Sequence, residues 1–172
     1  RIRSRVIPYC ISPEIFEWSG QWLQAKRRSG DILVTAPNIT GNIFHLAHYH
    51  FLKEFFYQEY FKFCGVQLIE LKDSQVGGSL QRTKQMQMFA EASGYLYTYS
   101  DPRVCYLPPV EMMIFGGPVA YLKGSLLSRY IGKGGPGEAS TIQEAHELCE
   151  KFRNEDATLI AEVRASQVSV IE

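Results

Sequence analysis

The sequence predicts an α/β fold in which helices cover both faces of a doubly wound parallel sheet. Short apolar runs rich in β-branched and aromatic residues alternate with longer helical patterns, which is the order of elements in such sheets. Hydrophobic residues make up 45% of the 172 residues, enough for one domain with a full core. The sequence contains no internal repeat and no low-complexity segment.

Two strands and two helices are predicted in the first half of the domain. DILVTAPN has the pattern of a buried strand ending in a loop at Pro37 and Asn38. A long helical pattern follows, and we expect the residues that recur at i+4 spacing to share one face: Ile43, Ala47, Phe51 and Phe55. VQLIEL predicts the second strand, and LQRTKQMQMFAEAS predicts a helix ended by Gly94.

The second half continues the alternation with two more strands. YLYTYS predicts the third strand, PPVEMMIFG a short helix with prolines at its start, and GPVAYL the fourth strand. KGSLLSRYIGKGGPG combines a helical turn with a glycine-rich loop. STIQEAHELCEKF, capped by Ser140 or Thr141, and EDATLIAEVRASQVSVI predict the final helices.

The segment before the first strand predicts a linker. VIPYCISP reads as an extended stretch closed by prolines, and an amphipathic stretch follows it as far as Gly30. We therefore predict a linker and helix over residues 1–30 and a ligand-binding domain over residues 31–172. The chain begins without methionine, which suggests a piece of a longer protein.

Charge and cysteine usage exclude several classes of function. Lys plus Arg and Asp plus Glu both number 18, so no net charge attracts the chain to nucleic acid. The cysteines at positions 10, 64, 105 and 149 are too widely spaced for a paired metal site or a small disulfide scaffold, so we expect reduced thiols in a cytoplasmic protein. No apolar run approaches the roughly 18 residues of a transmembrane segment. No G-x-G-x-x-G follows the first strand, which argues against dinucleotide chemistry.

The ends of the predicted strands are the expected ligand site, because parallel sheets bind ligands beyond their carboxyl ends. In HLAHYH, His45 and His48 share a helix face, whereas His50 does not converge with them. No nearby cysteine or acid completes a tetrahedral set, so we expect no metal site. His45, near the helix start, is the better placed of these histidines to reach a ligand.

Four stretches together resemble a known family of enzymes. VIPYCISPEIF is similar to an inter-domain V-I-P-N-G-I-D-x-x-x-F pattern, and DILVTAPN stands where the first strand of the following domain belongs. MFAEASGYLYTYS resembles L-Y-x-x-A-D-x-F-V-x-P-S, and EMMIFGGPVAYL resembles E-A-M-A-x-G-x-P-V-V. From about Val6 onward, the chain resembles the carboxyl-terminal half of retaining nucleotide-sugar glycosyltransferases, which have two Rossmann-like domains in the GT-B architecture.

The resemblance implies a donor-binding domain of a hexosyltransferase whose donor substrate is a nucleoside diphosphate sugar, such as a UDP-sugar. It implies no separate cofactor, and it implies a missing amino-terminal acceptor domain without which the chain transfers nothing. In the family, the glutamate matching Glu111 binds the ribose hydroxyls, and backbone amides at the same helix start face the diphosphate. These amides lie near Pro109 to Met112, a stretch that includes Val110. The segment matching the base-binding region contains Lys72, Asp73 and Ser74.

The sequence departs from the family pattern at two places. A second glutamate is expected eight residues before the first, but Arg103 stands there, so either Asp101 replaces the acid or Arg103 contacts a phosphate. The expected G-R-x...K-G pattern after the first strand is not evident either. The residues that offer neutral donors there are Asn38, Thr40, Gly41 and Asn42. The candidates to balance the phosphate charge are Arg82, Lys84 and Lys123, the last beside the amides of Gly124 and Ser125.

These departures support a rival hypothesis. The chain would then be a Rossmann-like scaffold or partner-binding module that has lost donor binding. The two hypotheses differ in whether the carboxyl edge of the sheet binds a nucleotide.

Overall fold

The computed structural model describes residues 11–41, 43–78, 80–102 and 106–171. One sheet of five parallel strands lies at its centre, with the order β2-β1-β3-β4-β5. The strands are β1 Ile32–Thr35, β2 Phe61–Cys64, β3 Gly94–Tyr97, β4 Val119–Leu122 and β5 Glu138–Ala139. This arrangement confirms the predicted doubly wound α/β fold.

Helices pack on both faces of the sheet. Eight occur in the described part of the chain: α1 Pro13–Glu17, α2 Gln21–Gln24, α3 Ile43–Phe55, α4 Arg82–Glu91, α5 Leu107–Phe115, α6 Leu126–Ile131, α7 Ile142–Arg153 and α8 Ala157–Ile171. Residues of α1, α2, α4, α5 and α6 form the core on one face, whereas α3 and α7 form it on the other. Among the described residues, no helix is both long and apolar enough to cross a membrane.

The two cores are separated by the alternation of side chains along each strand. Leu33 and Tyr95 face the core formed with α4 and α5, whereas Val34 and Leu96 face the core formed with α3 and α7. All four are fully buried. Burial on both faces explains why the strands appear in the sequence as continuous apolar runs rather than alternating ones.

The predicted second strand was wrong, because β2 is Phe61–Cys64 and not VQLIEL. Gly65 ends β2 with φ +139°, and the side chains of Val66, Leu68 and Ile69 that follow are exposed. The true strand was hidden in the run FFYQEYFKFC, where aromatic residues continue from the end of α3 into β2. Aromatic residues suit both a helix and a strand, so the run contained no change of period at the boundary.

The helix α3 is confirmed, but the face predicted from i+4 spacing is not the buried one. Ile43 is 71% exposed and Phe55 is 42% exposed, whereas Tyr49, Leu52 and the following Phe56 enter the core. Apolar and aromatic residues occur all around this helix, so periodicity could not select the face that packs on the sheet.

Gly94 does not end α4, contrary to the prediction. The helix ends at Glu91, Ala92 is extended, and Gly94 opens β3. The glycine is required by packing, since a Cβ there would lie 2.7 Å from Cδ2 of Phe152 and 3.3 Å from the carbonyl oxygen of Pro118.

We expect Gly94→Ala to lower the free energy of unfolding by about 1–3 kcal/mol, because the added methyl group overpacks the contact between β3 and α7. Gly77→Ala is the matched control, since its nearest neighbour, the carbonyl oxygen of Phe63, would lie at 3.7 Å. Urea denaturation of both variants measures the difference. Equal stabilities would show that Phe152 moves aside without cost.

The chain before β1 packs on the domain. Ile15 of α1 is fully buried, and the indole nitrogen of Trp22 in α2 donates to the carbonyl oxygen of Ala92 at 2.7 Å. Most of the predicted extended stretch VIPYCISP lies outside the described residues. The boundary between residues 30 and 31 stays a prediction.

The last part of the chain follows its predicted order with one addition. Thr141 is the residue that caps α7, since its hydroxyl oxygen accepts from the amide of Glu144 at 3.1 Å. The short strand β5 was not predicted, because it has only two residues and lies at the end of the glycine-rich loop.

Candidate functional site

The strand order places a crevice at the carboxyl ends of β1 and β3. The chain passes from β1 to β2 on one side and reaches β3, β4 and β5 on the other, so the winding direction changes between β1 and β3. Helices leave a parallel sheet toward opposite faces at such a point, and ligands bind in the opening between them. Thr35 at the end of β1 and Thr98 just after β3 mark this position.

Glu111 lies on the α5 side of this crevice. The helix begins at Leu107, one residue before the prolines predicted to start it, so Glu111 lies in its second turn. Only 5% of the residue is exposed, and its Oε1 lies 2.9 Å from Nη2 of Arg82, the first residue of α4. Both helices begin at the carboxyl edge, because α4 runs back to start β3 and α5 runs back from β3 to start β4.

Arg82 orients the carboxylate of Glu111, and Gln85 orients the guanidinium group of Arg82. Its Nη1 donates to Oε1 of Gln85 at 3.0 Å and lies 3.5 Å from the second oxygen of Glu111. An ionised carboxylate has about four acceptor positions, and a forked contact with one arginine uses two of them. Glu111 therefore retains capacity to accept from a hydroxyl pair.

The start of α5 offers few backbone donors. Pro108 and Pro109 have no N–H group, and the amides from Val110 onward, including that of Met112, bond to the carbonyl four residues earlier. Pro109, Val110 and Met112 also have buried side chains. Among the described residues, the donors at this helix start are therefore limited to the amides of Tyr106 and Leu107. Arg103 lies outside the described residues.

The loop after β1 forms the α3 side of the crevice. Asn38 adopts φ +47°, its amide donates to the carbonyl oxygen of Val66 at 2.8 Å, and its own carbonyl oxygen accepts from the amide of Gly41. Its side-chain Oδ1 is buried without a hydrogen-bond partner among the described residues. Thr40 and Gly41 are exposed, and Asn42 lies outside the described ranges.

Gln67, which the sequence reasoning missed, fastens this loop to the one after β2. Its amide nitrogen donates to the carbonyl oxygens of Ala36 at 2.7 Å and Gly65 at 3.1 Å, and its Oε1 accepts from the amide of Ile39 at 2.8 Å. The only signal in the sequence was a polar residue inside the apolar run VQLIEL.

The histidines separate into different environments. His48 Nε2 lies 3.0 Å from the hydroxyl of Thr98, and its ring packs 4.4 Å from that of Tyr99. His45 Nδ1 lies 3.3 Å from the carbonyl oxygen of Asn38, whereas His50 is exposed. Within the described ranges, no group of three or more His, Cys, Asp or Glu side chains is placed to hold a metal ion.

Burial, and secondarily the charge of His45, lowers the pKa of His48 from 6.5 to about 4. Above pH 6.5 the residue is neutral in the folded and unfolded chains. Between pH 6.5 and 4, mainly the unfolded chain binds the proton at His48. The free energy of unfolding therefore decreases as the pH falls through this range.

We expect His48→Gln to flatten the fall in unfolding free energy between pH 7 and pH 5, because glutamine can keep a hydrogen bond to Thr98 without titrating. Urea denaturation at several pH values measures the slope. The exposed His50→Gln variant is the control and should retain the slope of the parent. The assignment would be wrong if His48→Gln kept that slope as well.

A small recess lies beside Arg82 at the carboxyl end of β2. Its volume is about 60 Å³, and the residues around it are Cys64, Gly65, Val66, Gly77, Gly78, Leu80, Gln85 and Met88. Gln85 connects the recess to Arg82 and so to Glu111. Deeper in the sheet, the hydroxyl groups of Thr35 and Tyr95 lie 2.8 Å apart.

Lys72, Asp73 and Ser74 lie away from Glu111, at the amino end of β2. Asp73 accepts from the hydroxyl of Tyr49 and pairs with Lys53, while Ser74 donates to Glu59. The neighbouring Gln75 donates to the carbonyl oxygen of Phe61, the first residue of β2. Lys72 is exposed. The structure does not bring these residues together with Glu111, and their contact with a base stays a prediction.

The remaining predicted cations are exposed at different places. Lys123 follows β4 at its carboxyl end, where its amide donates to the carbonyl oxygen of Ala139. Lys84 lies on the surface of α4. The side chain of Ser125 accepts from the amide of Ser128 and caps α6. Of the candidates to balance a phosphate charge, Arg82 alone is seen to contact Glu111.

The four cysteines can be described in part. Cys64 and Cys149 are buried free thiols, and burial raises the pKa of Cys64 to about 12. Cys10 and Cys105 lie outside the described residues. The two described thiols are therefore packing residues rather than nucleophiles.

Comparison with known proteins leaves the site to be interpreted from its own geometry. No protein-family model matches the chain, and no curated protein matches it with significance. The described residues contain an all-parallel sheet with a buried carboxylate and an arginine at its carboxyl edge.

Proposed function

We propose that this chain is the donor-binding domain of a GT-B glycosyltransferase and binds the nucleoside diphosphate part of a sugar donor at the carboxyl edge of its sheet. The observation that carries the proposal is the placement of Glu111, a buried carboxylate held by Arg82 at the junction of α4 and α5. Ligands of parallel sheets bind at this edge.

Glu111 is proposed to bind the ribose. Two vicinal hydroxyls donate well to one carboxylate, and each charged hydrogen bond contributes about 1.5–3 kcal/mol. Arg82 orients the carboxylate and brings a positive charge next to it, which also suits the nearby diphosphate.

The recess beside Gln85 is proposed to receive the base. Gly77 and Gly78 line it without side chains, so a flat ring can approach the backbone closely there, whereas the missing side chain of Gly65 makes room for Pro37. Gln85 contacts Arg82 and Arg82 contacts Glu111, which supports a base position next to the proposed ribose position.

The diphosphate is proposed to lie toward the crevice between β1 and β3. Thr40 and Lys123 are exposed at the ends of β1 and β4 and supply a hydroxyl and a cation. In the reaction, the bond from the sugar to the phosphate oxygen breaks and a bond to an acceptor oxygen forms. The nucleoside diphosphate leaves with the electron pair, and the acceptor proton passes to a base supplied with the acceptor.

The alternative function is a scaffold or partner-binding module. The pairing of Glu111 with Arg82 favours it, because a satisfied ion pair is also a purely structural feature. Exposed apolar side chains on α3, among them Ile43 and Phe44, are also typical of a surface that contacts another protein.

Titration calorimetry with UDP, GDP and ADP separates the two functions. Donor binding predicts that at least one of the three nucleotides binds at millimolar concentration or below. The scaffold is favoured if none of them releases or absorbs heat beyond dilution at that concentration.

A further inference from the structure

A second recess lies at the opposite, amino edge of the sheet. Its volume is about 370 Å³, and it lies between the end of α2, the end of α7 and the start of α8. Ser93, which lines it, immediately precedes the first residue of β3, so the recess is separated from Glu111 by the length of the sheet. Its cations are Lys26, Arg27, Arg28 and Arg164.

The charge of this recess is unbalanced. Against four cations, Glu155 is the one acid among the described residues that line it. Two of the cations share an aromatic ring, since Cζ of Arg28 lies 3.6 Å and Cζ of Arg164 5.8 Å from the ring centre of Trp22. Burial lowers the pKa of Arg28, Glu155 opposes that shift, and the charge of Arg164 adds to it. Like charges collected in this way favour an anion between them.

The floor of the recess also contains an unused hydrogen-bonding group. Ser93 is 1% exposed, and its hydroxyl has no partner among the described residues. At the rim, Glu155 adopts φ +55° because it ends α7: its amide donates to the carbonyl oxygen of Phe152 at 3.2 Å, and the amide of Asp156 donates to that of Lys151 at 3.0 Å. The unpaired hydroxyl of Ser93 is the observation that indicates a ligand, since buried polar groups almost always have a hydrogen-bond partner.

We propose that this recess binds a ligand that carries a phosphate group. Guanidinium groups match phosphate oxygens in pairs, and each arginine has five N–H donors. One N–H group of Arg28 donates to the carbonyl oxygen of Ala90, and one of Arg164 donates to that of Gly116. These bonds fix both side chains and leave further N–H donors for a ligand. The apolar lining accepts the part of the ligand that bears the phosphate: Ala157, Ile160 and Ala161.

The phosphate could belong to a soluble compound or to a lipid headgroup, and two experiments distinguish these sources. Binding of a soluble phosphate is measured by calorimetric titration of inorganic pyrophosphate into the full chain. For the second, sedimentation measures binding to phosphatidylcholine vesicles with and without one-fifth phosphatidic acid. Pyrophosphate binding with no preference for the acidic vesicles indicates a soluble ligand, and binding only to the acidic vesicles indicates a lipid.

Substitutions locate the binding at this recess. The double variant Lys26→Met/Arg27→Met changes two exposed cations, and we expect it to weaken binding about tenfold or more. Glu155→Gln should strengthen binding several-fold, because it removes the opposing charge. Lys133→Met, an exposed cation outside the recess, is the control and should bind as the parent does. Arg28→Met and Arg164→Met should also weaken binding. Because both arginines donate to backbone carbonyl oxygens of the domain, these variants also test the fold.

The proposal is overturned if the parent binds neither pyrophosphate nor the acidic vesicles. It is equally overturned if binding is the same in the parent, the double variant and Glu155→Gln, since the anion would then bind elsewhere, including at the carboxyl edge. Opposite changes in the double variant and Glu155→Gln support it and do not depend on whether a nucleotide binds near Glu111.

Discussion

Replacing Arg82 with methionine is expected to lower the free energy of unfolding by about 2–4 kcal/mol. Glu111 is 5% exposed and would remain in the protein as a carboxylate without its counter-charge. Removing one partner of a fully buried pair costs about 3–5 kcal/mol, and the side chain of Arg82 is 37% exposed, which reduces the effect. Urea denaturation at neutral pH measures the change.

Two further variants test the cause of this loss. Lys84→Met removes an exposed cation two residues after Arg82 on α4. It should change the free energy of unfolding by less than about 0.5 kcal/mol. Adding Glu111→Gln to Arg82→Met should recover much of the lost stability, because a neutral amide costs less to bury than an unpaired charge. If the double variant were no more stable than Arg82→Met, the ion pair would not be the source of the loss.

Glu111→Gln is expected to weaken binding of the preferred nucleoside diphosphate about tenfold or more. The substitution keeps the size of the side chain but replaces a charged acceptor with a neutral one that has a single acceptor oxygen. Calorimetric titration of the variant and the parent measures the ratio. Glu147→Gln, on the exposed surface of α7, should bind like the parent.

Unchanged affinity in Glu111→Gln would remove the ribose role, even if the chain bound a nucleotide. Because the variant retains a polar side chain of the same shape, we expect it to fold, and its melting temperature serves as the check. A variant that folded and bound normally would leave Glu111 with a structural role toward Arg82 alone.

The strands that were predicted correctly are those with clear boundaries in the sequence. β1 ends at Thr35, two residues before Pro37, and β4 is set off from α5 by two glycines and a proline, so composition alone separates the elements. β2 and the buried face of α3 could not be predicted in the same way. Both lie in a run of aromatic residues in which burial depends on which face meets the sheet, and that is a tertiary property.

The candidate site was predictable only for its central residue. Glu111 was found because EMMIFGGPVAYL resembles the family pattern, but its partner Arg82 was one of three cations that the sequence left equivalent. Gln67 and the contact of His48 with Thr98 were missed, since residues 31 and 50 positions apart meet only after the sheet forms. Asp73 was expected near the base because it follows VQLIEL, the predicted second strand. Since β2 is Phe61–Cys64 instead, Asp73 does not stand directly after a strand.

The most direct test of the account compares UDP with its 2′,3′-dideoxy analogue, or the corresponding pair for whichever nucleotide binds best. Calorimetry measures both affinities in the parent chain and in Glu111→Gln. If Glu111 accepts from the ribose hydroxyls, the parent should prefer the hydroxylated nucleotide about tenfold or more, and the variant should lose most of that preference. An equal preference in the two proteins would contradict the proposed role of Glu111 at the carboxyl edge of the sheet.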